Sequence, residues 1–333
     1  MHVLITGGAG YIGSHTAKAL AGAGFQSVVV DDLRHGHGWA VRWGPLEKAD
    51  LADKALLRGI FQKYSIEAVI HFAAFAYVGE SMAAPHLYFQ NNVVNTINLL
   101  EVMREAGVRH LVFSSSCATY GYPERIPISE DHPQCPVNPY GESKLMVERI
   151  LHWYGLAYGL AWAALRYFNA AGADPDGELG EMHTPEPHLI PRIIAAAQGA
   201  LPCVDIYGVD YTTRDGTAIR DYIHVTDLAE AHVLALRFLQ SGGAATAFNL
   251  GVGCGYSVRE VISKVEQVSR RKVPIRESAR RPGDPPALIA DASKANHLLK
   301  WRPACSSLDR IVETAWNWYR NNDHKSVPSQ PTC

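Results

Sequence analysis

The sequence predicts an α/β protein, a doubly wound parallel sheet joined to a smaller mixed α/β domain. Three observations predict it. The first half alternates short apolar runs with helix-period segments. A glycine-rich turn stands between the first run and the first helix. After Phe168 the texture changes to a stretch of turn formers, 169–177, with shorter pieces beyond it. Such alternation is what a parallel sheet covered on both faces requires, and 333 residues suffice for one large or two modest domains.

The first strand is Val3-Leu4-Ile5, and the helix after the turn covers 12–23. Ser27-Val28-Val29-Val30 gives the second strand, and compact apolar runs at 67–72, 110–114 and 160–165 give three more. Helix-period segments lie between them at 53–64, 85–107 and 140–158. Later pieces are a helix at 189–198, a strand at 222–225, a helix at 226–239, a strand at 247–250, and helices at 257–269 and 308–320. The expected division places 1–168 with 222–250 in one domain and 169–221 with 251–322 in the other, followed by a disordered polar tail, 323–333.

Composition narrows the function classes. With 47% apolar and 19% charged residues, a net charge of -2 and no long basic run, the chain suits neither nucleic acid nor an anionic membrane as partner. Met1 leads almost at once into the first strand and no apolar run approaches a membrane span, so no signal peptide and a cytoplasmic address are expected. Six cysteines (117, 135, 203, 254, 305 and 333) are scattered without C-x-x-C spacing, which suits free thiols better than disulfides or zinc. Among fifteen histidines there is no H-E-x-x-H. His183 and His188 lie in a Pro-rich stretch and read as solvated loop positions, so no metal is expected.

The turn Thr6-Gly7-Gly8-Ala9-Gly10-Tyr11-Ile12-Gly13 fits G-x-G-x-x-G from Gly8 and G-x-x-G-x-x-G from Gly7. In a Rossmann-type sheet those glycines permit a tight turn, close approach of backbone to a pyrophosphate, and packing of helix on strand. The backbone N–H groups at the helix start then face the phosphates. The second strand ends in Asp31-Asp32, where such folds place an acid on the adenosine ribose, and this favours NAD over NADP. Arg34 leaves the NADP reading open.

Tyr140-Gly141-Glu142-Ser143-Lys144 sets a phenol and an ammonium on one helix face by its i, i+4 spacing. A phenol with a pKa of about 10 is a poor base at neutral pH until a nearby cation favours its phenolate. Lys144 is the expected cation, and Ser114-Ser115-Ser116 closes the strand before this helix. Parallel sheets bind ligands beyond the carboxyl ends of their strands, so both groups are expected at one site.

The glycine turn with Tyr140 and Lys144 resembles the extended short-chain dehydrogenase/reductase family, and the remaining motifs resemble its UDP-glucose (UDP-galactose) 4-epimerase branch. Those motifs include Phe72-Ala73-Ala74, Asn91-Asn92-Val93, Ser114-Ser115-Ser116-Cys117-Ala118-Thr119-Tyr120-Gly121, Asn138-Pro139-Tyr140, Leu165-Arg166-Tyr167-Phe168-Asn169, the run 215–225, and Arg280-Arg281-Pro282-Gly283-Asp284. The resemblance implies a catalytic set of Tyr140 as general base toward the sugar 4-hydroxyl, Lys144 on the phenolate and nicotinamide ribose, and Ser116 on the same 4-oxygen. It implies NAD held by Gly7, Gly10, Tyr11, Ile12, Gly13, Asp31, Asp32, Asp50, Leu51, Phe72, Ala73, Ala74, Asn91, Ser114, Tyr167 and Phe168, together with Tyr140 and Lys144. For the UDP-sugar it implies Ser116, Tyr140, Asn169, His188, Leu189, Asp205, Tyr207, Arg220, Arg281, Asp284 and Leu288, the two arginines on the diphosphate. The first domain then binds NAD and the second the nucleotide sugar.

Ala76 stands where many members of this branch have a cofactor-contacting Lys, Asp32 replaces a usual Asn, and His35-Gly36 replaces Asn-Ser. Cys117-Ala118 occupies the place where sugar-nucleotide dehydratases resemble one another in Thr-Asp-Glu, so the acid and base of dehydration are missing. A non-catalytic NAD-binding regulator is the rival from another class, opposed by the joint presence of Ser116, Tyr140 and Lys144. UDP-xylose/UDP-arabinose epimerisation stays open as the alternative substrate range. The apolar faces of 92–103 and 145–158 resemble those that pair into a homodimer in this family.

Overall fold

The structure, a computed structural model, describes residues 1–281 and 283–322. Pro282 and the expected disordered tail, 323–333, lie outside the described residues. In chain order the first elements are β1 (His2–Thr6), α1 (Tyr11–Gly22), β2 (Gln26–Asp31), β3 (Leu46–Lys48), α2 (Lys54–Tyr64) and β4 (Ile66–His71). Then come α3 (Val78–Ala83), α4 (Pro85–Tyr88), α5 (Asn95–Glu105), β5 (His110–Ser116), α6 (Pro139–Tyr158) and β6 (Ala161–Tyr167). Next are β7 (Asn169–Ala171), α7 (Leu189–Gln198), β8 (Val204–Tyr207), β9 (Ile219–His224), α8 (Val225–Gln240) and β10 (Thr246–Leu250). The chain closes with β11 (Gly255–Ser257), α9 (Val258–Ser269), β12 (Ile275–Ser278), β13 (Ala287–Leu288), α10 (Ser293–Leu298) and α11 (Leu308–Asn321).

Seven strands form one parallel sheet in the order β10-β6-β5-β4-β1-β2-β3. The direction of winding reverses between β1 and β4, which opens a crevice at the carboxyl end of β1. Alternation along the strands sends Val3, Ile5 and Val29 to the face covered by α1 and α8, and Leu4, Val28 and Val30 to the face covered by α2, α5 and α6. The doubly wound sheet is therefore dictated by apolar runs buried on both sides.

A smaller layer gathers around β9, which pairs with β7, β11 and β13, while β8 and β12 form a separate two-stranded ribbon. Its core is built from α7, α9 and α11. The boundary expected at residue 222 falls inside β9: Ile219 to Asp221 pair with β11 and Tyr222 to His224 with β7, so the strand is one continuous member of the smaller sheet. Only α8 and β10 of the expected 222–250 segment belong to the large sheet. The helix expected over 85–107 contains a π-helical turn at Phe89–Val94 between α4 and α5, a widening often found beside functional sites.

Candidate active site

Gly7 turns the chain out of β1 at φ 71°, a left-handed conformation, and a Cβ there would lie 2.6 Å from the backbone nitrogen of Ala73. A Cβ on Gly13 would lie 2.4 Å from the Gly7 carbonyl oxygen, so α1 seats against the turn only because that position is bare. Gly10 caps α1 without a side-chain hydrogen bond, leaving the helix start as a cradle of backbone donors. Twenty-two residues beyond Ala9, the Asp31 carboxylate accepts from the Ala9 and Leu33 backbone N–H groups at 3.0 and 2.9 Å. Burial raises its pKa and these hydrogen bonds oppose the rise. Arg34 donates to Asp32 at 2.6 Å and to Asp50 at 2.9 Å, so its guanidinium is already committed to two carboxylates, against its use on an NADP phosphate.

The start of α6 is fixed by three local features. Asn138 accepts from the Gly141 N–H at 2.8 Å, Pro139 occupies the first turn, and a Cβ on Gly141 would lie 2.4 Å from the Ala118 carbonyl oxygen. The helix thus docks directly on the short turn after β5, Cys117–Thr119, which Ser116 at the end of β5 caps. Further along, Glu148 forms a buried ion pair with Arg166 of β6, at 2.5 Å, and accepts from Ser115 at 2.5 Å. This pair locks α6 across the ends of β5 and β6.

The result brings Ser116, Tyr140 and Lys144 together. A hydrogen bond from Ser116 favours the Tyr140 phenolate, but burial outweighs it and pushes the phenol up to about 12. Lys144 is 2% exposed and donates to the Ser114 carbonyl oxygen at 2.7 Å. Its nitrogen lies 5.8 Å from the Tyr140 ring centroid, and burial pushes its pKa down to about 7. Lys144 thus sits beneath the tyrosine on the strand end, its ammonium over the ring rather than against the hydroxyl, with its own charge weakened by burial.

These groups line a single cavity of about 490 Å³ that runs from the glycine turn to β13. Every residue expected on the cofactor lines it: Gly7, Gly10, Tyr11, Ile12, Gly13, Asp31, Asp32, Asp50, Leu51, Phe72, Ala73, Ala74, Asn91, Ser114, Tyr140, Lys144, Tyr167 and Phe168. Of the residues expected on the sugar nucleotide, Ser116, Tyr140, Asn169, His188, Arg220, Asp284 and Leu288 line it. The Asn169 Oδ1 is buried without a hydrogen-bond partner, an acceptor available to a ligand.

Leu189, Asp205, Tyr207 and Arg281 do not line that cavity. Leu189 packs against the smaller domain's core, and Asp205 is engaged by Arg276 at 2.6 Å and by Ser278. The Arg281 guanidinium covers the Tyr207 ring at 3.8 Å and borders a neighbouring cavity of about 330 Å³. Asp284 borders both cavities and accepts from Arg220, which lies on the wall of the main cavity and also donates to the Ile219 carbonyl oxygen.

The reading of His183 and His188 as loop positions holds, and His188 is solvated as expected, its side chain 45% exposed, whereas His183 is partly buried at 20%. What the sequence did not show is that their rings lie 5.1 Å apart against the buried carboxylates of Glu181 and Glu186. Desolvation would lower the pKa of His188, and the two carboxylates outweigh it and raise that pKa. Glu181 and His183 line the cavity and were missed; the alternation of Glu and His in 181–188 was the available signal.

The NAD-dependent epimerase/dehydratase family model matches residues 3–251. The UDP-glucose 4-epimerase of Halalkalibacterium halodurans is 50% identical, with 97% of each chain covered. The crystal structure of UDP-glucose 4-epimerase from Brucella ovis in complex with NAD is similar at 54% identity and a TM-score of 0.93, covering 95% of this chain and 97% of that one. The Stenotrophomonas maltophila enzyme, solved with NAD and formylated UDP-arabinopyranose, aligns at 40% identity and a TM-score of 0.94 over 98% of this chain and all of its own. The glycine cradle, the Ser-Tyr-Lys cluster and the full-length similarity converge: this chain belongs to the NAD-dependent epimerase/dehydratase family, in its UDP-glucose 4-epimerase branch.

Proposed function

We infer that the chain interconverts UDP-glucose and UDP-galactose by NAD-dependent epimerisation at C4. The observation that carries the reading is the single cavity joining the glycine cradle and Asp31 to the Ser116, Tyr140 and Lys144 cluster. The residues fit a dinucleotide: the bare glycine backbone would hold the pyrophosphate, Asp31 would hold the adenosine ribose, and Ser114, Tyr167 and Phe168, which line the same cavity, would flank the nicotinamide. When bound, NAD supplies the group that accepts a hydride from C4 and gives it back. Tyr140 removes the proton from the sugar 4-oxygen and later returns it, and Ser116 hydrogen-bonds the same oxygen. Lys144 would hold the cofactor ribose from the floor of the site.

Arg220 anchors the substrate diphosphate, Asn169 offers its free acceptor to the nucleotide sugar, and Leu288 walls the sugar end. The 4-keto sugar turns about the anchored diphosphate and presents its other face for reduction. The cycle is redox-neutral, so the cofactor has no reason to leave.

The chain is further read as a cytoplasmic homodimer serving galactose metabolism. Trp153 and Leu156 of α6 are 64% and 67% exposed beside exposed Met146 and Tyr158, an apolar face suited to a second copy. The five described cysteines are free thiols, as suits a reducing compartment. No helix among the described residues is long and apolar enough to cross a membrane.

The test is an equilibrium assay with UDP-galactose, with UDP-arabinopyranose measured alongside, on protein given no cofactor. Formation of UDP-glucose, with NAD released on denaturation, is expected. Absence of UDP-glucose, or strict dependence on free NAD, overturns the reading. Sedimentation of wild type and Trp153→Glu tests the dimer.

A further inference from the structure

The loop before α7 gathers two carboxylates and two imidazoles at one point of the cavity wall. The Nδ1 of His188 lies 2.9 Å from Oε1 of Glu181 and 2.8 Å from Oε1 of Glu186. The Nε2 of His183 lies 3.4 Å from the same Glu181 oxygen. All four residues offer ligand atoms within 4.8 Å of one another. Two further atoms, Oε2 of Glu186 and Nδ1 of His183, are buried without a hydrogen-bond partner, and Glu186 itself is only 8% exposed. Glu181 and Glu186 are buried while the His188 side chain between them is 45% exposed, and the buried Oε2 of Glu186 has no hydrogen-bond donor, so hydrogen bonding within the cluster leaves one carboxylate oxygen unpaired.

We propose that Glu181, His183, Glu186 and His188 form a binding site for a divalent cation of the zinc class. Bonds of about 2.0 to 2.1 Å to a tetrahedral zinc set its donors roughly 3.3 Å apart, near the 2.8, 2.9 and 3.4 Å separations above, and the whole donor set lies within 4.8 Å. Two imidazoles select zinc-like ions over magnesium or calcium, which take oxygen donors. Four protein donors make it a structural site. The backbone between the ligands is already held from outside: His37 donates to the Met182 carbonyl oxygen at 3.0 Å, and the Tyr319 hydroxyl donates to that of Glu181 at 2.7 Å. The ion pins the loop that carries three of its ligands onto the cavity wall. A second cluster of carboxylates, Asp174, Asp176 and Glu178, is closed by Lys18, which pairs with all three, and serves as the control.

The experiment uses tag-free holoenzyme. Metal content is measured by mass spectrometry as purified, then after chelation and reloading with Zn²⁺ or Co²⁺ alone. A stoichiometric zinc-class ion, strong tetrahedral Co²⁺ bands in the visible and a melting temperature raised by Zn²⁺ are expected. Glu186→Gln and His183→Ala are expected to weaken uptake at least about tenfold, with Asp176→Asn unchanged. No saturable uptake by wild type, weak octahedral Co²⁺ bands, or equal uptake by folded ligand variants overturns the site. Should a variant fail to fold, the wild-type Co²⁺ spectrum decides alone. None of these readouts depends on turnover of a UDP-sugar.

Discussion

Lys144 donates to the carbonyl oxygen of Ser114 at 2.7 Å and stands 5.8 Å from the ring of Tyr140. The base and its cation are thus joined through the end of β5 rather than by direct contact of their heads. Tyr140→Phe should leave the fold intact and lower kcat by about 10²-fold or more, the scale of a positioned acid-base group. Burial holds the phenol near about 12, so turnover should rise with pH through the neutral and alkaline range. Removing a cation disfavours the phenolate, so Lys144→Ala should lower the rate and move that rising limb to higher pH. A kcat profile for wild type and both variants checks this; an unshifted limb in Lys144→Ala would remove Lys144 from any influence on the base.

Arg220 faces the main cavity and Arg281 does not. Replacing a guanidinium fork on a diphosphate costs charge-assisted hydrogen bonds, so Arg220→Lys should raise KM for UDP-galactose about 10- to 100-fold with a smaller change in kcat. Arg281→Ala should have the weaker effect, because its group lies over Tyr207 at 3.8 Å. Steady-state kinetics with UDP-galactose read both, and a larger effect at Arg281 would reverse the assignment.

Leu288 packs on a small apolar cluster of Cys117, Tyr120, Ile128, Phe168 and Ala290 at the cavity's sugar end. An N-acetyl group pressed on that packed leucine should cost about 1 to 3 kcal/mol. Leu288→Ser should therefore gain activity toward UDP-N-acetylglucosamine while retaining UDP-glucose turnover. Specificity constants for both sugars decide it, and a serine variant with no gain would place the gate elsewhere.

Acid should destabilise the protein early. Burial holds His71 at about 3 and His15, His224 and His232 at about 4. Unfolded histidine titrates near 6.5, so between about pH 6.5 and 4 the unfolded chain binds protons that the folded chain refuses. Stability is fully present above that range and falls with decreasing pH, each histidine contributing up to about 1.4 kcal/mol per pH unit. Urea midpoints at a series of pH values should fall accordingly, and His15→Asn, which can still donate to the Tyr11 carbonyl as Nδ1 does at 2.7 Å, should flatten the slope by one proton.

Long apolar runs made the large sheet legible, and helix periodicity with its capping residues made helices of both layers legible: α7 spans 189–198 as the sequence reads, and Ser257 and Asp53 cap α9 and α2 where their helix-period segments begin. The misses are short. Strands β3, β7, β11 and β13 have two or three residues each, and β8 and β12 four, too few for any periodicity. Their pairing is set by partners far along the chain, such as Val204 with Ile275. The cavity's glycine and Tyr-x-x-x-Lys ends were readable because local geometry demands those residues. The place of Lys144 under Ser114 and the folding of 181–188 onto itself depend on tertiary packing, which no local pattern encodes.

The path of β9 constrains how this enzyme can be rebuilt. The smaller layer draws its strands from both sides of α8 and β10, which belong to the large sheet. Arg220 enters from one of those stretches and Leu288 from the other, on neighbouring strands in direct register. A chimera that imports a relative's sugar pocket must therefore exchange two separated segments at once, while a single crossover leaves half of each parent's wall facing the other.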